Sequence, residues 1–129
     1  MNKVRITVAG MAVAGLATVL APAAAQAGTG AAAWQGSCAK GDFCVWNGKN
    51  GTGIKCAWDG DDPDWYGGDV RCNPKFFVGS YWNNGYTGSY SKVRVYRLAD
   101  YKGYWGTIPA GERDSFWEGQ PWRSHRWVN

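Results

Sequence analysis

Residues 91–103 read Ser91-Lys92-Val93-Arg94-Val95-Tyr96-Arg97-Leu98-Ala99-Asp100-Tyr101-Lys102-Gly103. Val93 and Val95 alternate with Lys92, Arg94 and Tyr96, the period of two that puts one strand face on a core and the other on water. Similar short runs lie on both sides: Phe43 to Trp46, Ile54 with Cys56 and Trp58, Lys75 to Val78, Ser80 to Trp82, Tyr104 to Ile108, Ser115 to Trp117, and His125 to Val128. Turn signals separate them, among them Asn47-Gly48, Asn50-Gly51, Asp59-Gly60, Gly67-Gly68, Asn84-Gly85, Pro109-Ala110-Gly111 and Gly119-Gln120-Pro121. Glycine supplies positive φ and Asn or Asp tolerates it, so each marks a tight reversal. No window sustains a helical period. Many short strands at close spacing predict an all-β sandwich.

The run also anchors a weak internal repeat. Val95-Tyr96 can be laid on Val45-Trp46, which places Tyr101 and Gly103 on Gly51 and Gly53. Ser91 and Ser124 each precede an extended run, and are read as the closing serines of the two halves. Two similar halves imply a pseudo-twofold sandwich.

The N-terminus addresses the chain. Lys3 and Arg5 precede the uncharged apolar stretch Ile6 to Leu20, and small-x-small sites follow at 23–27. That order predicts a secretory signal peptide over 1–27 rather than a membrane anchor, then a flexible segment over 28–37 and one domain over 38–129. Removing Lys3 and Arg5 leaves 12 basic residues against 10 acidic ones. The basic residues are scattered along the sequence, so no nucleic-acid partner is expected, nor a membrane after cleavage; a secreted, extracellular monomer is. The four cysteines, Cys38, Cys44, Cys56 and Cys72, read as two disulfides in a short exported chain, since no close C-x-x-C pair favours zinc. Of three connectivities, Cys38–Cys44 with Cys56–Cys72 closes the shorter loops.

Little in the sequence points to catalysis. His125 is the one histidine, and is read as a surface or edge-strand residue. Ser124 beside it would face the opposite way on a strand. Glu112 and Glu118 flank a short predicted strand without other marks of a carboxylate pair. Asp59, Asp61, Asp62, Asp64 and Asp69 crowd into eleven residues. Clustered carboxylates suit calcium, although Pro63 and Val70 break EF-hand spacing; no cofactor is expected, and Asp59, Asp61, Asp62 and Asp64 are the candidate metal cluster. A Cys56–Cys72 bridge would staple residues 57–71 into a loop displaying Trp58, Trp65 and Tyr66. Such a pre-ordered loop could offer an aromatic to a protease pocket, or fold down over a small core of its own.

The Tyr96, Tyr101, Gly103 spacing resembles the aromatic corner of βγ-crystallin Greek keys, in which an aromatic packs on its own hairpin where glycine lets the chain fold over. The opening, Cys38-Ala39-Lys40-Gly41-Asp42-Phe43-Cys44-Val45-Trp46, is similar to that of exported bacterial proteins of peptidase inhibitor family 36, as is Ser124-His125-Arg126-Trp127. The resemblance covers most of residues 38–128. It implies a βγ-crystallin-like sandwich of two Greek-key motifs, no enzymatic activity, and an extracellular peptidase as partner, a metalloproteinase by the family's association or a serine proteinase. There are departures. Gly51 stands where the first corner would carry its second aromatic, and residues 57–74 are extra. The stretches before Ser91 and Ser124 lack the paired oxygen ligands of calcium-binding crystallins. The family's disulfide-constrained inhibitory loop lies late in the domain, where this chain has no cysteine. Nine tryptophans and seven tyrosines leave a carbohydrate- or cell-wall-binding module as a rival, distinguished by aromatics exposed on one face, and a killer-toxin-like structural crystallin as another.

Overall fold

The structure is a computed structural model that describes residues 33–129, except 68–71 and 73–74. The expected signal peptide lies outside the described residues. Among the described residues seven strands form: β1 (Phe43–Trp46), β2 (Lys55–Trp58), β3 (Val78–Asn83), β4 (Lys92–Leu98), β5 (Lys102–Ile108), β6 (Arg113–Gln120) and β7 (Ser124–Val128). All pair antiparallel, in a four-stranded sheet ordered β2-β1-β3-β6 and a three-stranded sheet ordered β5-β4-β7. The protein is therefore all-β, as the alternation predicts. The two runs expected around residues 75–82 are one strand: β3 begins at Val78, and Lys75 to Phe77 precede it.

The halves interlock. β6, from the second half, pairs with β3 of the first. In return, Asp62 of the first half bridges to His125 on β7. Each half thus lends its third segment to the other's sheet. Phe43, Val45, Val78, Tyr81, Val93, Val95, Ile108 and Trp122 fill the space between the sheets.

The fifty-residue offset is real in the backbone. Asn50, Gly51 and Gly53 have positive φ, and so do Asp100, Tyr101 and Gly103. One hydroxyl ties down each fold-over. Ser80 Oγ accepts from Gly51 N at 2.9 Å and donates to Gly48 O at 2.7 Å. Ser124 Oγ accepts from Tyr101 N at 3.2 Å and donates to Leu98 O at 2.6 Å. The partner of Ser124 is thus Ser80, not Ser91: Ser91 precedes β4, which opens the second half, whereas Ser80 lies on the strand that closes the first.

Gly51 does not leave the first corner without its aromatic. In the second half Tyr101 packs edge-on to Tyr96, centroids 5.7 Å apart. In the first, Trp34 packs edge-on to Trp46 at 5.5 Å and to Trp82 at 6.0 Å. Glycine at 51 is what admits it. A Cβ there would meet Gly36 N at 2.5 Å and the Trp34 ring at 3.1 Å. Gln35 N donates to Asn50 O at 2.8 Å, fastening the segment to the corner. The expected flexible stretch 28–37 is therefore corrected over its described part, 33–37: it covers the outer face of β1, whose four residues are all buried. Trp34→Ala is expected to cost about 2 kcal/mol, below the usual range for a fully buried tryptophan because Trp34 is half-buried. Urea unfolding of the variant checks this.

Candidate functional site

The disulfides are Cys38–Cys44 and Cys56–Cys72, the pairing with the shorter loops. The second does staple the segment after β2, but the two tryptophans of that segment face inward. Trp58 and Trp65 are only 5% and 2% exposed, and their rings stack at 4.6 Å. Each indole N–H has a buried acceptor. Trp58 Nε1 donates to Asp62 Oδ2 at 2.9 Å, and Trp65 Nε1 to His125 Nδ1 at 2.9 Å. Neither ring can enter a partner's pocket from there, which corrects the displayed-loop expectation for Trp58 and Trp65. The physical reason is the interlock: the backbone pair between Asp62 and His125 pulls this segment against β7, so its aromatics roof the core. Tyr66 is half-buried, with Lys75 Nζ at 4.9 Å and the Arg123 guanidinium at 5.1 Å from its ring centroid.

His125 lies on an edge strand, as read, but is 0% exposed rather than superficial. Because Nδ1 accepts from Trp65, Nε2 carries the proton and donates to Gly60 O at 2.8 Å. Burial disfavours the imidazolium and lowers the pKa to about 4, outweighing the Gly60 bond, which acts upward. A histidine with both nitrogens bonded inside a core is no general base. Ser124 is equally committed, bonded to Tyr101 N and Leu98 O. Glu112 accepts from the Tyr81 hydroxyl at 2.6 Å, and Glu118 stands exposed on β6.

Asp69 lies outside the described residues; the rest of the acidic run is dispersed. The Asp62 carboxylate is buried against Trp58 and also accepts from Asp64 N at 3.0 Å; burial raises its pKa. Asp64 pairs with Arg123 at 2.9 Å, a hydrogen bond that holds its carboxyl below the usual range. Asp61 Oδ1 accepts from Trp127 N at 2.8 Å, and Asp59 is exposed. Among the described residues no group of three or more His, Cys, Asp or Glu converges in a metal-binding arrangement, so the Asp59, Asp61, Asp62 and Asp64 cluster does not form a cation cage.

Among the described residues, shallow depressions lie on either side of Asp59. One, of about 290 Å³, is lined by Asp42, Ala57, Trp58, Asp59, Gly60 and Asp61. The other, of about 250 Å³, includes Tyr86, Ser89, Tyr90 and Trp127. Neither sets a nucleophile beside a base. Of the nine tryptophans Trp117 alone is exposed; the rest are buried or half-buried. The carbohydrate-binding rival therefore has no cluster of exposed tryptophans to draw on; the other exposed aromatics are Phe77, Tyr86, Tyr90 and Tyr104.

Trp117 stands on an irregularity in β6. Val78 pairs with Gln120 and Ser80 with Ser115, so Gly79 alone faces residues 116–119. Such wide bulges re-aim side chains, and here Trp117 is turned out to 90% exposure. From the sequence, Ser115 to Trp117 is one more strand run in which nothing singles out Trp117; the Gly119-Gln120-Pro121 turn signal just beyond is the available hint.

The model of a family described as "Peptidase inhibitor family I36" matches residues 31–108. The match takes in Trp34, both corners and β1 to β5, and ends before β6. No curated protein matches the chain.

Proposed function

Because this chain belongs to peptidase inhibitor family I36, we propose that it is a secreted inhibitor of an extracellular metalloproteinase, built on a βγ-crystallin-like pair of Greek keys. The family match carries the reading. The structure supports it physically. Two disulfides suit an oxidising compartment outside the cytoplasm. His125 and Ser124, residue types that serve catalysis elsewhere, are here bonded into the scaffold. A cross-linked, interlocked sandwich is also what a protease inhibitor needs, since a surface already fixed loses little freedom on binding and resists being opened for cleavage. The strand exchange and the two serine-tied corners support the Greek-key reading.

The test is titration of the disulfide-bonded chain, residues 28–129, against a thermolysin-like metallo-endopeptidase and a subtilisin-like serine endopeptidase. Stoichiometric loss of metallo-endopeptidase activity at micromolar inhibitor or below is expected. Inhibition of the serine enzyme alone would move the target to the other class, and full activity of both would remove the inhibitor reading.

A further inference from the structure

We propose that Trp117, at the apex of the β6 bulge, is the principal contact with the target peptidase, filling an apolar subsite wide enough for an indole ring. The inference rests on the inhibitor reading above. It is not carried over from the family, whose match ends at residue 108; it comes from geometry.

A tryptophan in water is an unsatisfied apolar surface of roughly 150–250 Å². In this molecule the other eight are wholly or partly covered, so the fold has ample means of burying indoles and leaves this one out. The cause is local. Four residues oppose one, and the neighbours on either side are fastened, which forces the excess chain outward. Before the bulge, Ser115 Oγ accepts from Asn50 N at 2.8 Å and donates to Asn50 Oδ1 at 3.2 Å. Phe116 points in, its ring 5.3 Å from Trp122, 5.4 Å from Tyr81 and 5.5 Å from Trp105. After the bulge, Trp105 Nε1 donates to Gln120 Oε1 at 3.2 Å. Trp117 is thus held out by a frame that does not need to order itself on binding, and it has the residue type most enriched among binding hot spots.

The surroundings fit the same use. Lys49 Nζ lies 4.8 Å from the indole centroid, steadying the ring by a cation–π contact while leaving it open. Phe77, itself exposed, lies against Gly119 at the foot of the bulge, where a Cβ would meet Phe77 Cβ at 2.7 Å. The bulge therefore presents two aromatics, with the larger at its apex.

Inhibition constants should be measured for the wild type, Trp117→Ala, Trp117→Phe and Tyr86→Ala, with melting temperatures alongside, against the two endopeptidases named above. Trp117→Ala should weaken inhibition roughly thirtyfold or more with little change in melting temperature, since the ring is 90% exposed and its contact with Lys49 is a surface one. Trp117→Phe should recover much of the loss, and Tyr86→Ala, an exposed tyrosine on another loop, should behave as wild type. If the wild type inhibits and Trp117→Ala inhibits equally well, the contact is elsewhere and this inference fails while the inhibitor reading stands. If the wild type inhibits neither enzyme, both fall together.

Discussion

Trp65→Ala is expected to lower folding stability by about 3–5 kcal/mol, a large share of what a domain of this size possesses. The ring is 2% exposed. It stacks on Trp58 at 4.6 Å, meets Trp122 edge-on at 6.4 Å, and donates its N–H to His125. Truncation removes the apolar contacts, opens a cavity under the stapled segment and leaves the Nδ1 of a buried imidazole without its donor; each acts in the same direction. The backbone gives the cavity little chance to collapse, because Trp65 N donates to Arg123 O at 2.8 Å and Cys72 N donates to Trp65 O at 2.7 Å. Equilibrium unfolding in urea, followed by tryptophan fluorescence, measures the loss. A displayed inhibitory anchor would behave oppositely: its removal would abolish inhibition and leave the unfolding curve in place. Trp65 and Trp117 therefore make a matched pair, one expected to govern stability and the other binding.

The second large effect is acid instability. His125 titrates in the folded protein at about 4, against about 6.5 in an unfolded chain. Between those values the unfolded chain takes up a proton that the native state refuses. The contribution of the neutral imidazole is thus complete above pH 6.5 and lost as pH falls toward 4. At about 1.4 kcal/mol per pH unit, the span amounts to about 3 kcal/mol. Asp62 works the other way. Its carboxyl is raised by burial, so the native state accepts that proton before the unfolded chain does, and the loss is partly offset at the acid end. Urea midpoints should fall steadily from pH 7 to pH 4.5. A flat profile across that window would mean that the imidazole is open to water.

The strands were legible where one face is wet. Val93 and Val95 alternate with charged neighbours, and β4 forms there. The fifty-residue offset was legible too, because turn chemistry is local: Asn50-Gly51 and Asp100-Tyr101 each reverse the chain with the same positive dihedrals. What stayed hidden depends on long-range closure. Ser80 acts on Gly48 and Gly51 across β1, a contact between residues about thirty positions apart that no local spacing announces. Gly51 reads as a missing aromatic until Trp34, far upstream, lies over Trp46 and supplies it. Exposure was the least legible property. Trp58 and Trp65 look displayed on a stapled, acidic loop, but the pairing of Asp62 with His125 turns the loop inward. Trp117 looks like one more strand aromatic until β3 and β6 fall out of register and push it into solvent.

Trp58 and Trp65 are central here, because their burial over His125 keeps both rings from a partner and leaves Trp117, on the edge strand β6, as the exposed tryptophan. The chain has one histidine, so a single imidazole can be followed by NMR through a pH titration of the folded protein. A midpoint near 4, with the Nε2–H tautomer persisting through pH 5.5, is the expected result. A midpoint near 6.5 would show that Trp58 and Trp65 do not cover His125, and would contradict the account.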